Sequence, residues 1–265
     1  MNIVKEELRV QIKRFLYWTI GLGVLIFVGT AKFQGISGAN GESIAELMSY
    51  YPKVLLAMLG MPQGIDIGTL SGYQGILAYY SLICVCIYAI FLGNGVIGRE
   101  MTDQTYEFLF TKPRSRRSIL AWKIIGAAIP LTAYCILNYW LTRMALTMIT
   151  SEEIITNQVE LYGITTYLIG LIFYGFTILC STILVKSERA SVISFALFFV
   201  SFFLGGIYDV AEEAHVLRIF TPLRYFTYTE LASNNLPIEY LVISLAILTL
   251  SIICAFQFFQ KRDLL

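Results

Sequence analysis

Long stretches without Asp, Glu, Lys or Arg alternate with short charged ones along the whole chain. The uninterrupted intervals run Phe15 to Ala31, Ile67 to Gly98, Ile124 to Thr142, Leu161 to Val185, Ala190 to Tyr208 and Tyr240 to Gln260. A helix rises about 1.5 Å per residue and a hydrocarbon core is about 30 Å thick, so roughly 17 to 25 uncharged residues suffice to cross it. Six spans are therefore predicted, at about 15–32, 75–98, 120–145, 162–185, 190–208 and 238–260. They form one transmembrane domain over residues 1–265, and the fold class is an all-α membrane protein.

The connections carry their own patterns. Before the first span, Val4, Leu8, Ile12 and Phe15 recur at helical spacing while Lys5, Glu6, Arg9 and Lys13 cover the other side. That pattern predicts an interfacial helix lying in the headgroup plane and then turning inward. Glu6 and Glu7 argue against a cleavable signal peptide, so the segment is expected to be retained. After the first span, Gly60, Gly64, Gly68 and Gly72 recur every four residues, but Pro62 and Asp66 interrupt the run, which reads as a flexible loop opened by a short amphipathic helix over Ser43 to Leu59. Lys186 to Arg189 leaves room only for a tight turn. Beyond Tyr208 the chain turns acidic (Asp209, Glu212, Glu213) and then aromatic (Phe220, Tyr225, Phe226, Tyr228).

Composition agrees with the periodicity. With 57% hydrophobic residues, 14% charged and a mean hydropathy of +0.70, the chain has too much apolar surface for water and too little net charge, +1, to suggest nucleic acid as a partner. Fourteen of the nineteen Lys and Arg fall in the N-terminus, the Gly98–Lys123 connection, the Lys186–Arg189 turn and the C-terminus. By the positive-inside bias both termini and those two connections are expected in the cytosol, leaving the protein multi-pass in the cell membrane. Arg143 falls at the outer end of its span, where it can snorkel.

Several chemistries are missing from the residues. The one histidine, His215, has no H-E-x-x-H around it, and neither G-x-S-x-G nor a Cys/His cluster of metal spacing occurs. No catalytic residue and no metal site are expected. Cys84, Cys86, Cys135, Cys180 and Cys254 all lie in apolar intervals, where thiols behave as small hydrophobes, and no disulfide is expected. No ionisable residue sits deep in a span, which disfavours an ion-coupled carrier. G-x-x-x-x-G-K-[ST] is also absent, so any nucleotide energy must come from another polypeptide.

The most patterned connection is GREMTDQTYEFLFTKPRSRRSILAWK, Gly98 to Lys123. It reads as a short helix from Glu100 through Thr105, Tyr106, Glu107 and Phe108, stopped at Pro113 and followed by Ser115-Arg116 before the next span. Basic residues alone would mark any cytosolic loop. The order Glu100, Thr105, Glu107, Pro113, Ser115, Arg116, Lys123 resembles the loop between the second and third helices of ABC-2 type transporter permeases, with support from the closing run Phe258 to Asp263.

The resemblance implies a cytosolic coupling helix that lies against a separate ABC ATPase. Glu100, Thr105, Tyr106, Glu107, Phe108 and Arg116 are the residues expected to contact that subunit or pass on its motion. It further implies two ATPase copies carrying ATP and Mg, with a second permease copy or homologue completing a pathway of twelve helices across the bilayer. Pro222, Tyr225 and Phe226 match the position of an outer gate, and Asn94 and Asn138 are candidate pathway-lining amides. The function expected is the permease subunit of an ATP-driven exporter, not itself an enzyme, for a hydrophobic or amphipathic cargo such as an antimicrobial peptide or drug. The alternatives are an exporter of ions or polysaccharide, or a membrane scaffold or immunity protein that does not pump.

Overall fold

The computed structural model describes residues 3–37, 48, 50–62, 65–102, 115–149, 153–184, 186–211 and 215–261, and every regular element among them is helical. In chain order these are α1 (Ile3–Ser37), α2 (Lys53–Met58), α3 (Leu70–Thr102), α4 (Arg116–Thr147), α5 (Glu153–Ile183), α6 (Ser187–Tyr208), α7 (His215–Ile219), a 3-10 turn (Pro222–Arg224), α8 (Tyr228–Ala232) and α9 (Ile238–Lys261). Six of them, α1, α3, α4, α5, α6 and α9, are long and apolar enough to cross a membrane, one for each predicted interval. The chain is a multi-pass membrane protein.

Each long helix outruns its uncharged core, because polar flanks continue the helix beyond the hydrocarbon. The N-terminus shows this most clearly and departs from expectation. α1 is one unbroken helix of 35 residues, about 52 Å long, with no turn between a flat segment and a span. Its inward face explains why. Glu7 and Gln11 are buried and Ile12 is 56% exposed, so polar residues dock this part of the helix on the bundle. The predicted helix over Ser43 to Leu59 lies partly outside the described residues; within them Tyr50, Tyr51 and Pro52 are not helical, and α2 starts at Lys53 after Pro52 and is capped by Leu59, where Gly60 takes φ +80°. At α4, Ser115 is the N-cap, its Oγ accepting from the Ser118 amide at 3.2 Å.

The helices run alternately up and down. Two ends can be distinguished: the loop end holds the start of α1, the end of α3, the start of α4 and the end of α9, and the far end holds α2, α7, the 3-10 turn and α8. α3 and α5 form the centre, their apolar windows 67% and 61% buried against 17% for α1 and α9. They approach closely at Gly93, where a Cβ would come within 2.8 Å of the Tyr174 carbonyl oxygen. One core, with Leu22, Tyr88, Leu131, Tyr134 and Tyr174, ties α1, α3, α4 and α5 together. A second, on another face of α3, joins Tyr79, Cys86, Phe173 and Phe198 to Leu223, Tyr225 and Phe226 of the far end. α1 and α6 both pack on α3 rather than on each other, and the space between them becomes the main cavity.

Candidate functional site

At the loop end, three helices meet on one carboxylate. Glu7 of α1 is 4% exposed and faces Arg99 of α3 at 3.4 Å and Lys123 of α4 at 3.7 Å. Gln11, one turn on, donates from Nε2 to the Glu7 carboxylate at 2.5 Å, and the Lys123 ammonium donates to the Val96 carbonyl at 2.5 Å. Gly126 lets α1 approach, since a Cβ there would already sit 3.1 Å from the Glu7 Cβ. Arg99 and Lys123 stand on either side of the predicted coupling segment. A single buried acid on α1 therefore holds both of its flanks.

Between α1, α3 and α6 lies a cavity of about 570 Å³. Trp18, Tyr88, Phe91 and Leu92 supply its apolar wall; Gln11, Arg14, Arg99, Asn94, Ser187 and Ser191 supply its polar one. Asn94 is fixed there by two hydrogen bonds, donating to Ser187 Oγ at 3.1 Å and accepting from Ser181 Oγ at 3.3 Å. It joins α3 to α5 and α6 while facing the cavity.

Asn138 lies elsewhere. It is buried among Gln74, Ser81, Thr142 and Thr166 beside a void of about 10 Å³, at most the space of one water. The two asparagines thus belong to separate polar clusters. Arg143 sits near the far end as the charge pattern suggested, donating to the Tyr139 hydroxyl at 2.7 Å and lying 3.7 Å from Glu160.

The far end is closed by two arginines. Arg224, 7% exposed, donates from Nε to the Asp209 carboxylate at 2.8 Å, reaches the Ala57 carbonyl of α2 at 3.2 Å and lies over the Tyr79 ring. Arg218 pairs with Glu230 at 2.5 Å, donates to the carbonyls of Arg224 and Tyr225, and lies over the Tyr240 ring at 4.0 Å. Glu230 also closes a capping box with Thr227 at the start of α8. These bonds seat Pro222, Tyr225 and Phe226, the predicted gate residues, above a void of about 70 Å³. Pro222 opens the 3-10 turn, and Tyr225 donates from its hydroxyl to the Ile219 carbonyl at 2.6 Å.

The titration of these groups follows their surroundings. Burial pushes the Asp209 carboxyl above the usual range, against the pull of Arg224. Burial acts the same way on Glu230, but hydrogen bonds from Arg218 and Thr227 win and hold it below the usual range. Burial raises the Tyr225 phenol to about 12.

Of the predicted coupling residues, Arg116 is the exposed first residue of α4, and Glu100 lies in the last turn of α3. Thr105, Tyr106, Glu107 and Phe108 lie outside the described residues. Glu7, Gln11 and Tyr88 were not among the predicted residues, nor were Asp209, Arg218, Arg224 and Glu230 as a network. One signal was available: Glu7, Gln11, Trp18 and Leu22 share a helix face, so Glu7 had to point where the apolar stripe points. T-x-x-E at Thr227 to Glu230 likewise announces a helix start.

Six helices long and apolar enough to cross a membrane, with a cavity opening between α1, α3 and α6, define a multi-pass membrane protein. The family model for ABC-2 family transporter proteins matches residues 1–264, and the chain belongs to that family. No match was found among curated proteins.

Proposed function

We propose that the chain is the pathway-forming permease subunit of an ATP-driven ABC-2 exporter for a hydrophobic or amphipathic cargo such as an antimicrobial peptide or drug. The observation that carries this reading is the cavity at the end of α3: Gly98 and Arg99 line it, and the chain continues from α3 into the predicted coupling segment. A displacement of the segment would move the cavity wall. The far end, tightly bonded over a small void, complements this as the closed side of an alternating-access cycle.

In this reading the termini and the 103–114 segment face the cytosol and the protein resides in the cell membrane, as the distribution of basic residues supports. Two ABC ATPase subunits bind ATP and Mg and dock through Glu100, Thr105, Tyr106, Glu107, Phe108 and Arg116. A second permease copy or homologue completes the pathway. The chain performs no chemistry itself; it converts the closure of its ATPases into exposure of the cavity to the outer side.

The test separates coupling from folding. Glu107→Ala combined with Phe108→Ala removes an acid and an aromatic of the kind that anchors interfaces, where truncation often costs about 2 kcal/mol or more, roughly thirtyfold in affinity. Expected is loss of ATPase co-purification and of substrate-stimulated hydrolysis, with expression and thermal stability of the isolated permease retained. Wild-type hydrolysis and co-purification in the double variant would overturn the coupling assignment and favour a scaffold that does not pump.

A further inference from the structure

Five polar side chains from three helices meet in the far half of the bundle, around the void of about 10 Å³. α3 brings Gln74 and Ser81, two turns apart on one face; α4 brings Asn138 and Thr142, one turn apart; α5 brings Thr166. Each is at least nine-tenths buried. Ala78, between the two α3 residues, and Gly163 on α5 carry too little side chain to fill the space.

Hydroxyls on these helices ordinarily settle their own hydrogen bonds. Thr132, Thr165 and Thr177 each donate to the carbonyl four residues back, at 3.0, 2.8 and 2.8 Å. Ser81, Thr142 and Thr166 make no such bond, and neither they nor Gln74 has a side-chain hydrogen-bond partner among the described residues. The Asn138 carbonyl oxygen and the Tyr162 hydroxyl are walled off by neighbouring protein atoms and take no part. The open groups are therefore the Gln74 amide and the three hydroxyls.

Buried hydroxyls and amides are overwhelmingly paired, and within a bilayer no outside water serves them. Cavities that stay empty are apolar, whereas a polar one of this size takes a single water and nothing larger. Each hydroxyl both donates and accepts and the amide can do either, which suits a guest with two donors and two lone pairs. No carboxylate among the described residues lines the void, so a cation there would lack a counter-charge.

We infer that this void is a single-water binding site, which hydrogen-bonds α3, α4 and α5 to one another through Gln74, Ser81, Thr142 and Thr166. A neighbouring space can supply it: Ala78, Tyr162 and Thr166 also line the void of about 70 Å³ under the 3-10 turn. The site needs neither an ATPase nor a cargo and stands apart from the export reading.

Thermal unfolding of the full chain in detergent separates a filled void from a dry one. A buried hydroxyl that faces nothing costs stability, so in an empty void Ser81→Ala and Thr166→Val would leave the melting temperature unchanged or raise it. With a shared water each should lower it by about 2–4 °C, and the double variant by less than the sum, because the second change strikes a site already short of its water. Solid-state NMR in deuterated-lipid bilayers reads the water directly. Magnetisation should pass from water to the Ser81 and Thr166 amides and not to Val85, one turn deeper in the apolar core, and the double variant should lose that transfer. Replacing sodium and potassium by choline should leave the melting temperature where it is. Unchanged or raised melting temperatures in the single variants, or no water transfer at Ser81 and Thr166, would overturn the inference. So would a melting temperature that falls when the alkali cations are removed, since it would put an ion in the place of water.

Discussion

Two ends of one bundle use charge in opposite ways. At the far end, Arg218 and Arg224 spread their donors over two carboxylates and three backbone carbonyls, and the short segments they hold close over a void of about 70 Å³. At the loop end, Glu7 joins three long helices and leaves a cavity of about 570 Å³ beside them. Guanidinium donors aimed at short irregular segments rigidify a cap, since each orphan carbonyl finds a partner. A carboxylate between long helices instead fixes their relative positions and leaves the space between other helices open. The far end is built as a lid, the loop end as a joint.

The largest effect that could break this contrast is at the joint. Glu7→Ala removes the acid from the buried Lys123 and the partly buried Arg99, and breaking a buried ion pair from one side commonly costs about 3–5 kcal/mol. Thermal unfolding in detergent should show it, together with increased labelling of a cysteine placed at Ser187, which borders the cavity. Stability within about 0.5 kcal/mol of wild type, the range of ordinary surface substitutions, would mean that Glu7 is not the joint.

At the lid the loss should be smaller and local. Arg224→Lys keeps the charge but loses the fork that reaches Asp209 and Ala57 together, with an expected cost of about 1–3 kcal/mol. Amide exchange should accelerate in residues 209–232 while the loop-end helices keep their protection. Exchange rising equally at both ends would show that the two regions are one cooperative unit.

The smallest effect sharpens the comparison through pH. Glu230 is held below its usual range, so its contribution is fully present above an ordinary carboxyl value of about 4.3 and is lost as pH falls through the depressed folded value. Asp209 is shifted the other way by burial, so its protonation on acidification opposes that loss. Lid exchange should therefore rise only modestly in acid in the wild type, and Glu230→Gln should abolish the rise. An acid-induced increase that persists in Glu230→Gln would place the titrating group elsewhere.

Much of the fold was legible because a bilayer punishes charge over a length that a helix must cross. Six uncharged intervals became six helices, and Ser115 ahead of an apolar run became an N-cap. The N-terminus misled for a related reason. Val4, Leu8, Ile12 and Phe15 form a good apolar stripe for a headgroup plane, yet burial follows Glu7 and Gln11, because Arg99 and Lys123 lie far along the chain and no local pattern reveals them as partners. Asn94 and Asn138 looked alike as isolated amides. Their neighbours, Ser181 and Ser187 for one and Gln74, Ser81 and Thr166 for the other, come from other helices.

By itself, then, the sequence determined the membrane class, the helix count and the family, since hydropathy and motif order are properties of consecutive residues. The joint at Glu7 and the lid of Arg218 and Arg224 were decided only by tertiary structure. Each depends on which faces of distant helices meet, and the energy of a buried charge or hydroxyl depends on the partner that packing places within about 3 Å of it.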